Sequence, residues 1–287
     1  MADLALPIKH EAQPSLPVTH ITPPAGWLDL NLAEFWHHRE LLYFFVWRDI
    51  KVRYKQTAIG AGWAVLQPLL TMAIFTLFFG RLAKIPSDGI PYPVFFYSAL
   101  LPWIYFAGAL AGATNAIVEN QRVITKVYFP RLILPFSSVL SGLVDFAIGF
   151  ALLIGLMLIY GVTPGWNLLW LPFFVVLATA TALGAGLWLA AWNAKYRDVR
   201  YAIPFLIQLW MFASPVAYPS SLVPENWRWL YGLNPIAGVI EGFRWALTGQ
   251  GTGPGPLLIA STCAVIALLF GGLAYFQRME GTLADIV

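Results

Sequence analysis

The sequence predicts an all-α integral membrane protein with six transmembrane helices. Three observations predict it. Of 287 residues, 59% are hydrophobic and 11% charged, whereas an ordinary soluble domain carries about 25% charged residues. The apolar residues gather into six windows near the roughly 20 residues that cross a bilayer. Lys and Arg then fall mostly on one side of those windows.

The same composition excludes other classes. So apolar a chain is neither an ordinary soluble globule nor a disordered one. The single cysteine, Cys263, allows no intrachain disulfide and no Cys-rich zinc site. His10, His20, His37 and His38 all precede the first apolar window, so the spans hold no histidine cluster. A net charge of +3 is too small to indicate nucleic acid.

Residues 1–30 read as a flexible tail. They carry Asp3, Glu11 and several prolines, with no apolar stretch of the kind a signal peptide needs. Residues 31–56 are too charged to span. Asn31 and Glu34 form a helix-start pair, and Leu32, Phe35, Leu42, Val46 and Ile50 recur at helical spacings. The run from Arg48 to Lys55 is basic. Together they predict an amphipathic helix on the cytoplasmic leaflet. It serves either as a polybasic topology anchor or as support for a cytoplasmic partner.

The remainder, 57–287, reads as one transmembrane domain. Its spans are expected at about 62–82, 94–118, 133–160, 169–192, 202–217 and 256–276. The third is long enough to tilt; the fifth is short and ends in Pro215 and Pro219. Only Arg81, Lys84, Arg228 and Arg244 lie on the side opposite the other cations, so both termini are expected in the cytoplasm.

Two connecting segments stand out. Residues 119–131 mix Glu119, Arg122, Lys126 and Tyr128 with apolar side chains and read as a short helix stopped before Pro130. It is either a solvated loop or a knob fitting a groove on another protein. Residues 218–254 form the longest outer segment. Asn234-Pro235 is a strong helix start and Gly249 a stop. The resulting helix is too short to span and is expected to be re-entrant or interfacial. Glu241 and Arg244 share a face and can pair. The segment forms either the outer lip of a pathway or an aromatic-belt anchor.

Asp145 is the acidic residue deep in a span. A lone carboxylate is a poor proton relay; it caps a backbone group, pairs with a loop arginine or serves transport directly. No phosphate-cradling G-x-x-x-x-G-K-[ST] run, H-E-x-x-H or G-x-S-x-G occurs. The energy for active transport must come from another chain. Most of the many aromatics are interface anchors, but aromatic faces can also meet the C–H faces of sugars. Trp63 and Trp210 are the preferred candidates. They lie on spans disrupted by Gln67-Pro68 and by Gln208, Ser214 and Pro215.

Four stretches carry a family resemblance. They are Trp47 to Gln56 with Gly60, Trp63 and Gln67-Pro68; Lys126 to Arg131 with Leu134-Pro135; Lys195 to Val199; and Ser214 to Pro219 with Leu233-Asn234-Pro235. Over about residues 35–285 the chain resembles the membrane subunit of type-2 ABC exporters for lipid-linked polysaccharide, the O-antigen, capsule and teichoic-acid exporters. The resemblance implies a homodimer of six-span permeases with two copies of a cytoplasmic ABC ATPase in the bacterial inner membrane. This chain would hold no cofactor or metal of its own, ATP and Mg belonging to the partner. Segment 31–56 would be the interface helix. Loop 119–131 would couple to the ATPase through Glu119, Arg122, Lys126 and Tyr128. Spans one and five would line the channel with Trp63, Gln67, Trp210, Ser214 and Tyr218, and Glu241 and Arg244 would mark the outer lip. Two competing readings are an exporter of small amphiphiles and a membrane-embedded transferase for lipid-linked sugars. The transferase would need Asp145 or Glu241 as its acid or base.

Overall fold

The computed structural model describes residues 32–55, 62–196, 198–250, 253 and 255–286. The expected tail, the Asn31 helix start and Gly60 lie outside them. The lead-in is two helices, α1 (Leu32–His37) and α2 (Arg39–Lys55). They break at His38, whose ring Nδ1 lies 2.9 Å from the Glu34 carbonyl.

The lead-in departs from a two-faced amphipathic design. Its inner side packs on the body, with Phe35 against Phe136 at 5.0 Å and Phe45 against Phe129 at 5.7 Å between ring centroids. Its outer side also carries apolar groups: Tyr43, Phe44, Trp47 and Val52 are exposed. Charge is instead concentrated along the last turns, where Lys51 stands over the Trp47 ring.

Among the described residues, five helical stretches are long and apolar enough to cross a membrane: Gly62–Leu82, Tyr92–Glu119, Ile133–Ile159, Trp166–Lys195 and Pro256–Glu280. The first is α3 (Gly62–Phe75), which continues as a π-helix over Thr76–Leu82. Pro68 lies inside α3 without ending it. The others belong to α4 (Tyr92–Glu119), α6 (Ile133–Ile159), α7 (Leu171–Lys195, led by a 3₁₀ turn from Trp166) and α11 (Pro256–Ile286). Between them, α5 (Gln121–Ile124) follows α4 directly.

The fifth expected span, at 202–217, is instead α8 (Val199–Phe212), a shorter apolar helix. It stops because Pro215 and Pro219 cannot continue a helical ladder. Residues 213–220 fold back as turns, with Ser214, Pro215 and Val216 buried. The segment expected outside then forms α9 (Glu225–Gly232) and α10 (Pro235–Thr248). The expected punctuation of α10 holds: the Asn234 side chain accepts from the Ile236 N–H, and Gly249 ends the helix at φ 68°.

The core is centred on α4, with 78% of its span buried, and α6, α7 and α10 pack around it. Small residues allow the tightest crossing, that of α7 with α11. A Cβ on Gly184 would lie 2.8 Å from the Leu269 nitrogen, and one on Gly272 2.5 Å from the Gly184 carbonyl oxygen. Small-residue packing of this kind lets helices approach closely in a lipid environment. By contrast α3 is only 6% buried. It and α8 present Leu70, Ile74, Phe78, Phe205 and Leu209 outward.

Candidate transport site

At the basic pole, α2, the 119–131 loop and the end of α11 are tied together. Arg48 donates to Asn120 Oδ1 at 2.9 Å and to Asp49 at 2.8 Å, and its guanidinium lies 4.7 Å from the Phe45 ring centre. The Asn120 amide in turn donates to the Ala116 carbonyl. At the far end of the loop, the Arg131 N–H donates to Glu280 Oε1 at 2.8 Å, and its guanidinium reaches the Glu280 carbonyl. Between these anchors the helix is shorter than expected. Only Gln121–Ile124 is α-helical, and turns follow to Val127. Glu119, Arg122, Lys126 and Tyr128 are all exposed on this segment. The Tyr128 hydroxyl is pushed to a raised pKa, by partial burial first and then by Glu34 beside it.

A second site lies along α3. Trp63 and Gln67 are exposed in the single chain and line a cavity of about 330 Å³, together with Pro68, Tyr105, Gly142 and Phe146. Asp145 lies at its edge with Arg53 and Tyr54. Asp145 accepts from Arg53 Nη1 on one oxygen and from Tyr54 Oη on the other. The Tyr54 hydroxyl is raised to about 12, by desolvation first and by the Asp145 hydrogen bond and charge next. The expected arginine partner of Asp145 therefore comes from the lead-in helix. Its sequence signal was the adjacency of Arg53 and Tyr54 in a basic run; nothing local pointed to a residue 92 positions away.

The opposite pole gathers two expected residues, Trp210 and Ser214, around Asn234, which the sequence marked as a helix cap and as part of a family stretch but not as an organiser of the site. Trp210 Nε1 donates to Asn234 Oδ1 at 2.8 Å. The Asn234 amide donates to the Ala213 carbonyl at 3.1 Å and to Ser214 Oγ at 3.0 Å. Trp210 also packs edge-on against Phe106 at 5.1 Å. Trp210 is thus half-buried and held by its indole N–H, and Ser214 is buried. Tyr218 donates to the Phe212 carbonyl at 3.0 Å and accepts from Tyr231 at 3.2 Å. The Tyr231 hydroxyl is raised, by burial first and then by the Tyr218 contact.

Glu241 and Arg244 do pair, at 3.0 Å, but they form an internal clamp and not an exposed lip. Their side chains are 5% and 2% exposed. Arg244 also donates to the Pro215 carbonyl at 2.8 Å and sits 3.8 Å over the Phe95 ring. Glu241 accepts from the Ser220 N–H at 3.0 Å. A buried ion pair is tolerated when hydrogen bonds satisfy most of its remaining groups. Here those bonds fasten α10 to the fold-back that ends α8, while Arg244 Nε is buried without a hydrogen-bond partner.

No group of His, Cys, Asp and Glu able to hold a metal ion occurs among the described residues. The arrangement is that of a multi-pass membrane permease: a packed helical core, two uncovered apolar helices, and a charged loop anchored at one pole. The chain belongs to the ABC-2 type transporter family, whose match covers residues 40–248. It is 30% identical to the O-antigen export system permease protein RfbA of Myxococcus xanthus, over 89% of this chain and 98% of that one. It is 28% identical to the protein of the same name from Klebsiella pneumoniae, over 86% and 95%. It is 26% identical to the polysialic acid transport protein KpsM of Escherichia coli, over 81% and 91%. Members of this family are permease subunits that work with an ATPase.

Proposed function

We propose that this chain is the transmembrane subunit of an ATP-driven exporter of an O-antigen-like, lipid-linked polysaccharide. It acts as a homodimer with two copies of a cytoplasmic ABC ATPase in the bacterial inner membrane, both termini facing the cytoplasm. The observation that carries this reading is the near-full-length likeness to O-antigen export permeases. The loop anchored at Asn120 and Arg131 supports it, being a surface on which an ATPase can push. ATP and Mg are used by that partner. Closure of the ATPase dimer moves the 119–131 loop, and the loop shifts the helices around the pathway.

The two least covered apolar helices, α3 and α8, supply the homodimer contact and the channel wall. Trp63 and Gln67 on α3, and Trp210, Ser214 and Tyr218 at the end of α8, contact the polymer or shape its path. Glu241 and Arg244 support the exit from behind.

The test is reconstitution of the permease with its ATPase and measurement of polymer movement across the bilayer. Charge reversal of Glu119 and Arg122 together is expected to lower export by about tenfold or more, as a like-charge mismatch at an interface costs several kcal/mol. Assembly and export both intact in that variant would remove the coupling role. Export of small amphiphiles without polymer would favour the amphiphile reading. Sugar transfer by the permease alone would favour the transferase.

A further inference from the structure

Arg53 and Tyr54 lie in the last turn of α2, the helix that precedes α3, and both reach the Asp145 carboxylate inside α6. Five residues earlier on α2, Arg48 holds Asn120 at the base of the exposed loop. The lead-in helix is therefore fastened at two points, one on the loop base and one inside a span. Beyond the second lies the cavity that separates Trp63 and Gln67 of α3 from Tyr105 of α4 and Gly142 of α6. That free volume is room into which α3 can shift.

Arg53 and Asp145 are 43% and 31% exposed in the single chain, so the contact is not sealed inside the helical core. Ionisable groups within a span are expensive and mark function by default. Both Asp145 oxygens are engaged by α2, so the carboxylate is committed to holding that helix.

We propose that Asp145 is a positioning residue for transport: a latch that holds α2 to α6 through Arg53 and Tyr54 and releases when α3 moves over the cavity. Displacement of the loop at Asn120 would reach it through Arg48 and the rigid α2. The latch rests on the exporter reading above, because its release is a step of export.

The experiment uses the full permease with its ATPase, in a Cys263→Ser background that removes the native thiol. Arg53→Cys and Asp145→Cys are joined by a reducible bifunctional thiol reagent. Bridging is expected to stop polymer export, and reduction to restore it. A bridged complex that exports at the unbridged rate overturns the latch. A second variant, Tyr54→Phe, keeps the ring and removes one hydrogen bond. Its expected effect is a rise of about two- to tenfold in ATP hydrolysed per polymer exported, with the yield of assembled complex unchanged. An unchanged ratio overturns the latch as well. A wild-type complex that moves no polymer overturns the exporter reading and the latch with it. A latch failure alone looks different: the wild type exports, and bridging or Tyr54→Phe is without effect.

Discussion

Arg244 is a cation almost fully removed from solvent, and four contacts account for its position: Glu241, the Pro215 carbonyl, the Phe95 ring and the packing of α10. Removing Glu241 leaves the guanidinium buried without a counter-charge, held only by the Pro215 carbonyl and the Phe95 ring. Glu241→Ala is therefore expected to destabilise the protein by about 3–5 kcal/mol, read as a lowered unfolding midpoint in detergent. At Asn234 one side chain serves the α10 cap, the Trp210 indole and the α8 fold-back at once. Asn234→Ala is expected to cost about 1–2 kcal/mol from the cap alone and to change the fluorescence environment of Trp210. Trp63 is the opposite case, half exposed beside a cavity. Trp63→Ala should leave stability nearly unchanged yet lower polymer export by about two- to tenfold if its face meets sugar. Equal export would remove that contact. The Glu241–Arg244 pairing was legible from a three-residue spacing. Its burial was not, because that depends on what α10 packs against.

At the scale of elements, α7 and α11 are held in register by the absence of side chains. A Cβ on Gly184 would meet backbone atoms of Leu268 and Leu269, which cannot rotate away. Gly184→Leu is expected to cost about 1–3 kcal/mol or more through overpacking and to lower the yield of folded permease. Gly155, on α6, has open space where a Cβ would stand. Gly155→Ala is the matched control and should fold at wild-type yield. If both variants behave alike, close approach does not define this crossing. The five long helices were readable from apolar run length because lipid demands that each span satisfy its own backbone. Pro215 and Pro219 signalled a break, but α8 already ends at Phe212, short of the expected 217, and Pro68 is accommodated in α3, where the irregularity falls instead at Thr76–Leu82.

Among the described residues, α3 and α8 are left largely uncovered while most of α4 is buried. If two copies meet through those helices, cysteines placed at Leu70 on α3 and Leu209 on α8 will form a reducible cross-link between protomers in the Cys263→Ser background. A ladder that stays at monomer mass would rule out that contact. What the sequence alone determined was the membrane class, the long spans, the α10 boundaries and the family. Each of those properties resides in a window of neighbouring residues: transfer of an apolar run into lipid, or a cap. Only the tertiary structure decided that Asp145 answers to Arg53 and Tyr54, that Asn234 organises Trp210 and Ser214, and that Arg131 meets Glu280. Those partners lie far apart along the chain, and their proximity follows from how close-packed helices fill space around α4, a property that no local window contains.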